Sequence, residues 1–177
     1  MSIGLLRGTV ALEPHDTQWD INAKQTIERL KLLLKDIAVD IQHIGNTAIR
    51  EIQAKPIIDL VIGVSDFPEL LERNPVLEEH GFLYRGQDHP DQHLYVCGDD
   101  RFITHHLHAV IYRAEAWNHY VNMRDYLNTH PDEAAAYSEL KQALAKQYAN
   151  DRMTYTFMKA DLIQQILAHA DQWKKLT

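Results

Sequence analysis

Asp59 stands inside the apolar run PIIDLVI (56–62), where an ionised carboxylate must be paired, hydrated or metal-bound to be tolerated. Read as a strand, the run puts Ile57, Asp59 and Val61 on one face. A second polar interruption lies in RFITHHLHAVIY (101–112), where alternation places Thr104, His106, His108 and Val110 on one face and Ile103, His105, Leu107 and Ala109 on the other. Two imidazoles at this spacing can converge on one divalent metal or, when protonated, on phosphate oxygens. The third interruption is Lys159, one turn from Tyr155 within an apolar helical stripe of Tyr155, Leu162, Ile163, Ile166 and Ala170. An ammonium there needs a carboxylate, a bound anion, or a route out to solvent along its own stem. Each feature also has a plain structural reading: an ion pair of Asp59 with Lys55 or Arg50, a solvated histidine face, and a snorkelling lysine. If all three face one cleft, they offer an acid, two imidazoles and an ammonium to a small polar ligand, a set suited to a metal and a phosphate or carboxylate group.

The elements that must position these groups follow from periodicity. VALEP (10–14) reads as a short strand, and Thr17 to Lys35 as a helix through Trp19, Ile21, Ile27, Leu30 and Leu34. VDIQHI (39–44) is a strand ending at Gly45-Asn46, and PIIDLVIGV (56–64) is apolar on both sides, as expected of a central strand covered on both faces. Pro68 to His80 reads as one helix closed by Gly81, with FLYR and HLYVC as short strands about a polar loop, QDHPDQ. The strand at 101–112 precedes three helices, Glu115 to Asn128, Pro131 to Tyr148 and Asp151 to Lys175. Interleaved strands and helices with a helical tail from about residue 115 give an α+β class: a mixed sheet with packed helices.

The 177 residues suit a single domain over 1–177, and 45% apolar with 24% charged residues is a globular composition. A formal charge of -7 argues against general nucleic-acid binding, which Lys and Arg drive. A single cysteine, Cys97, excludes an intramolecular disulfide and a thiolate zinc site. With no membrane-length apolar stretch and no signal-like start, the expectation is a cytoplasmic protein without a membrane partner. Oligomeric state is left open.

The runs HIGNTAIREIQAKPIIDLVI, HLHAVIY, MRDYLNTHPDEAAAYSELKQALA and NDRMTYTFMKADLIQQIL, in this order, resemble the GrpB family over nearly the whole chain. The resemblance implies a nucleotidyltransferase-like fold related to the polymerase-beta superfamily. There, a strand ends in a Gly-Ser turn whose backbone holds nucleotide phosphates, and the next strand carries an Asp-x-Asp pair that holds divalent metals. Gly45 and Asn46 fall on the turn, Asp59 on the second aspartate, and Ile57 on the first. The family shares this altered pair. Locally this chain departs from it, with Asn46 where Ser is usual and Arg50-Glu51 where Pro-Gly is usual.

The implied function is binding of a nucleotide or phosphorylated small molecule, with nucleotidyl or phosphoryl transfer if the site is catalytic. Asp59, Lys55 and Lys159 would serve catalysis, with Gly45, Asn46, Arg124 and Tyr155 holding the substrate. Asp59, His106 and His108 would hold a divalent metal (Mg, Mn or Zn). His43 matches the family too, but shares a strand face with Val39 and Ile41, as a core histidine would. Arg124 beside Asp125 also reads as a helix-surface ion pair. Two alternatives stand: a binding module that has lost its chemistry, and a hydrolase with a two-histidine, one-carboxylate metal centre.

Overall fold

The computed structural model describes residues 3–99 and 101–177. Its order is β1 (Leu5–Leu6), α1 (Thr17–Leu34), β2 (Ala38–Ile44), a 3-10 turn (Asn46–Ala48), β3 (Ile58–Val64), α2 (Phe67–Leu71), α3 (Asn74–Glu79), β4 (Leu83–His89), β5 (Gln92–Gly98), β6 (Phe102–Ile111), α4 (Glu115–Thr129), α5 (Pro131–Gln147), α6 (Arg152–Met158) and α7 (Ala160–Leu176). The strands form one sheet in the order β2-β3-β6-β5-β4, and β1 pairs with the start of β6. Among the described residues only β3 and β6 run parallel, so the sheet is mixed. Among the described residues no helix is long and apolar enough to cross a membrane.

The sheet has two covered faces. On one, Leu60, Ile62, Leu107 and Ala109 pack against Trp19, Ala23, Leu30 and Leu34 of α1. That helix is set by Asp16, whose side chain accepts from Gln18 N at 2.9 Å. On the other face, Ile44, Val61 and Val110 meet Trp117 of α4. A third cluster joins Ile49 and Ile52 to α4, α5 and α7, and a smaller one unites Val10, Leu144 and Tyr155. The helical segment therefore lies over the Asp59 face.

Four expectations change. VALEP contributes only a bridge, Glu13 to Ala54, because Pro14 removes the next ladder donor; the first strand is instead Leu5–Leu6. The helix expected at 68–80 is two, since Pro75 takes the first turn of α3 and cannot donate within a longer helix. The loop QDHPDQ is mostly strand, with Pro90-Asp91 as the turn between β4 and β5. The last helix is broken at Lys159, whose N–H turns to Phe157 O. Tyr155 and Ile166, read as one stripe, consequently enter different clusters.

Candidate functional site

The parallel register sets Asp59 directly against His106, and Val61 against His108. Strand alternation sends all three polar side chains to the α4 face, while His105 goes to α1, where Thr26 Oγ1 lies 3.2 Å from its Nε2. His106 Nδ1 is 3.1 Å from Asp59 Oδ1, and His108 Nε2 is 3.6 Å from the same oxygen. Burial alone would raise the Asp59 carboxyl, but the hydrogen bonds and charge of the two histidines overcome it and hold the acid far below the usual carboxylate range. Tyr120 of α4 backs the array: its hydroxyl donates to Gln92 Oε1 at 2.6 Å and lies 3.3 Å from His108 Nδ1. The ion pair with Lys55 or Arg50 considered for Asp59 is thus replaced by a histidine pair.

Antiparallel pairing of Ile44 with Asp59 brings the following residue, Gly45, onto the carboxylate. A Cβ at Gly45 would sit 2.6 Å from Asp59 Oδ2, and its φ of 70° with ψ of -170° is a conformation open essentially to glycine. The chain then turns through Asn46–Ala48, placing Asn46 and Thr47 beside the acid.

From the far side comes α6, capped by Asp151, whose side chain accepts from Thr154 N. Its positions 152, 155, 156 and 159 lie on one flank at helical spacing. Tyr155 is buried, and the ammoniums of Lys55 and Lys159 lie 5.6 Å and 4.6 Å from its ring centroid. The tyrosine so seats two cations by their attraction to its π face. Burial, with repulsion from Arg152 and Lys159, lowers Lys55 to about 7. Burial lowers Lys159 to about 8, against the pull of Asp59. Among the described residues, no carboxylate lies within ion-pair distance of Lys55, Arg152 or Lys159.

These groups enclose a cleft of about 380 Å³. Of the residues singled out from sequence, Asn46, Lys55, Asp59, His106, His108 and Lys159 line it. Gly45 and Tyr155 stand behind its wall. Arg124 lies elsewhere: its guanidinium binds Gln42 Oε1 at 2.8 Å, the His43 carbonyl at 2.9 Å and the adjacent Asp125. His43 points to the α1 side, 2.9 Å from Thr47 Oγ1, and burial lowers it to about 4. Thr47, Tyr120, Arg152 and Thr156 also line the cleft and were not anticipated. Arg152 was within reach of the helical projection, seven residues before Lys159.

The donors depart from the two-acid pattern of a two-metal centre. Each imidazole turns one nitrogen toward the same oxygen of Asp59, and Ile57 lines the cleft where a second acid would stand. Among the described residues, no group of three or more His, Cys, Asp or Glu side chains is disposed to hold a metal ion. An ion entering here would have to displace the histidine–aspartate contacts.

Comparison with known proteins agrees with this geometry at the level of family and fold. A family model described as "GrpB protein" matches residues 9–169. The "Glutamate-rich protein GrpB" of Alkalihalophilus pseudofirmus is 34% identical over 93% of this chain and 98% of its own length. The UPF0157 protein YqkA of Bacillus subtilis is 30% identical over 91% of this chain, which spans about half (47%) of that relative. The crystal structure of the conserved protein GrpB from Enterococcus faecalis superposes with a TM-score of 0.86 at 25% identity, covering 92% of this chain and 99% of that one. Cid1 in complex with its short product ApU gives a TM-score of 0.52 at 12% identity over 76% of this chain and 43% of that one, a likeness of nucleotidyltransferase fold alone. With the match running through the turn, the Asp59 strand, the two histidines and the Lys159 helix, the chain belongs to the GrpB family.

Proposed function

We propose that the cleft binds the phosphate groups of a nucleotide or another phosphorylated small molecule, and does so as a binding site rather than a two-metal transferase. The carrying observation is that Lys55, Arg152 and Lys159 share one small cavity whose one lining carboxylate among the described residues, Asp59, is already engaged by two histidines. Three cations against this single carboxylate leave the cleft short of negative charge, and a phosphate supplies it with charge-assisted hydrogen bonds. Asn46 and Thr47 offer further polar contacts from the turn. Cid1, which shares the fold, is described with Mg and 3'-dATP bound, in keeping with a nucleotide ligand here. Ile57 in place of a second acid supports binding without two-metal phosphoryl transfer.

Calorimetric titration with pyrophosphate tests the reading. Lys159→Met is expected to weaken binding about 10- to 150-fold, as for loss of one charged hydrogen bond of about 1.5–3 kcal/mol. Equal affinity in wild type and variant would reject the assignment.

The lysines also make binding pH-dependent. Free Lys55 and Lys159 lose protons near 7 and 8, and a bound anion favours their charged forms. The complex therefore holds more protons than the free protein, so affinity falls as pH rises from about 6.5 to 9. Sulfate, whose charge is constant over this range, should bind with net proton uptake, read from binding heats in buffers of different ionisation enthalpy. Affinity flat with pH would show that these ammoniums do not face the anion.

A further inference from the structure

The short helix α6 exposes three large apolar side chains, Met153, Phe157 and Met158, of which the first two are the most exposed. Met153 and Phe157, one turn apart, are 84% and 77% exposed, while Tyr155 and Lys159 turn inward. They border an open groove of about 730 Å³ together with Gly8, Asn150, Asp151, Arg152 and Thr156, and the Asp151 carboxylate is turned to the cap of α6, accepting from Thr154 N and Thr154 Oγ1. Arg152 and Thr156 also line the phosphate cleft, so the open groove and the cleft adjoin along these two side chains. Adjoining apolar side chains left this exposed mark a contact surface.

We propose that this groove seats the base of a nucleoside phosphate whose phosphates occupy the adjoining cleft, an inference resting on the phosphate reading above. The shared side chains set the occupant: one molecule that is anionic at one end and apolar at the other. Phe157 presents a ring on which a flat heterocycle stacks, and Met153 adds a polarisable thioether suited to aromatic contact. The side-chain amide of Asn150, with both donors and an acceptor, matches the polar edge of a base rather than an acyl chain. Arg152, at the junction, spans both parts of the ligand.

The experiment is calorimetric titration of the full chain with inorganic tripolyphosphate and, separately, with each of the four ribonucleoside triphosphates. At least one nucleotide is expected to bind tenfold or more tightly than tripolyphosphate. Phe157→Ala should cut that nucleotide affinity about 5- to 150-fold, as for loss of one base–aromatic stack, and leave tripolyphosphate binding unchanged; Phe157→Trp should restore it. Because Phe157 is exposed, the alanine variant keeps its core, which circular dichroism verifies. Tripolyphosphate matching every nucleotide, with Phe157→Ala silent, would overturn the base site while leaving the phosphate cleft standing; that result would assign the apolar pair to a protein or lipid contact. Binding of none of the five probes would overturn both.

Discussion

Gly45→Ala is expected to lower folding stability by about 3–5 kcal/mol, combining a backbone conformation reserved for glycine with a contact that overpacks the site. The new Cβ would meet Asp59 Oδ2 at 2.6 Å and Asp59 Cβ at 2.9 Å. The carboxylate cannot retreat without giving up the histidines, since Oδ1 is fixed by His106 and His108. For a chain of this length the midpoint of thermal unfolding should drop by about 6–20 °C. Gly81→Ala provides the control: Gly81 also has positive φ, at 85°, but nothing lies within 4 Å of its added Cβ. It should cost only the conformational part, about 1 kcal/mol. Urea unfolding of both variants measures the difference. Equal losses would mean that Asp59 moves freely, and that the turn does not hold the acid in place.

The contrast between those glycines bears on what could be read from sequence. Alternation put Asp59, His106 and His108 on one face and His105 on the other because strand geometry leaves no choice, and the sheet has them so. What alternation cannot supply is cross-strand register. Asp59 lies directly across from His106, so the histidines reach the acid itself; from sequence the same residues serve equally well as ligands of a shared ion. Lys159 was recognisable as misplaced in an apolar stripe, yet the helix break beneath it carries neither Gly nor Pro and left no trace. The family motif points to Arg124, but its guanidinium is absorbed by Gln42 and the His43 carbonyl, partners that only packing of α4 on β2 creates. The pattern at 68–80 reads as one helix despite Pro75, because a proline inside a helical pattern permits either a kink or a restart, and here the chain restarts.

Asp59→Asn is the sharper test of the site, and its expected cost in the absence of ligand is about 3 kcal/mol, the lower end for breaking a buried charge pair because a quarter of the side chain reaches the cleft. Asp59 is the one carboxylate among the described residues lining the cavity, and its negative charge offsets Lys55, Lys159 and Arg152. The amide keeps the shape and removes that charge. The pH dependence follows from the sign of the shift. Because the folded-state acid sits below its ordinary value, its contribution is complete above the unfolded carboxyl's pKa of about 4 and is lost as pH falls toward the folded value. The gap between wild type and Asp59→Asn, followed by urea unfolding at successive pH values, should therefore be constant near neutrality and narrow below about pH 4. A gap unchanged into acid would mean that the loss comes from packing rather than charge. Pyrophosphate then separates the two roles of the cleft: an anion among these cations replaces the missing charge, so it should raise the unfolding midpoint of Asp59→Asn by more than that of wild type. A metal centre built on Asp59 makes the opposite forecast, with the variant losing its ligand response and gaining nothing from the anion.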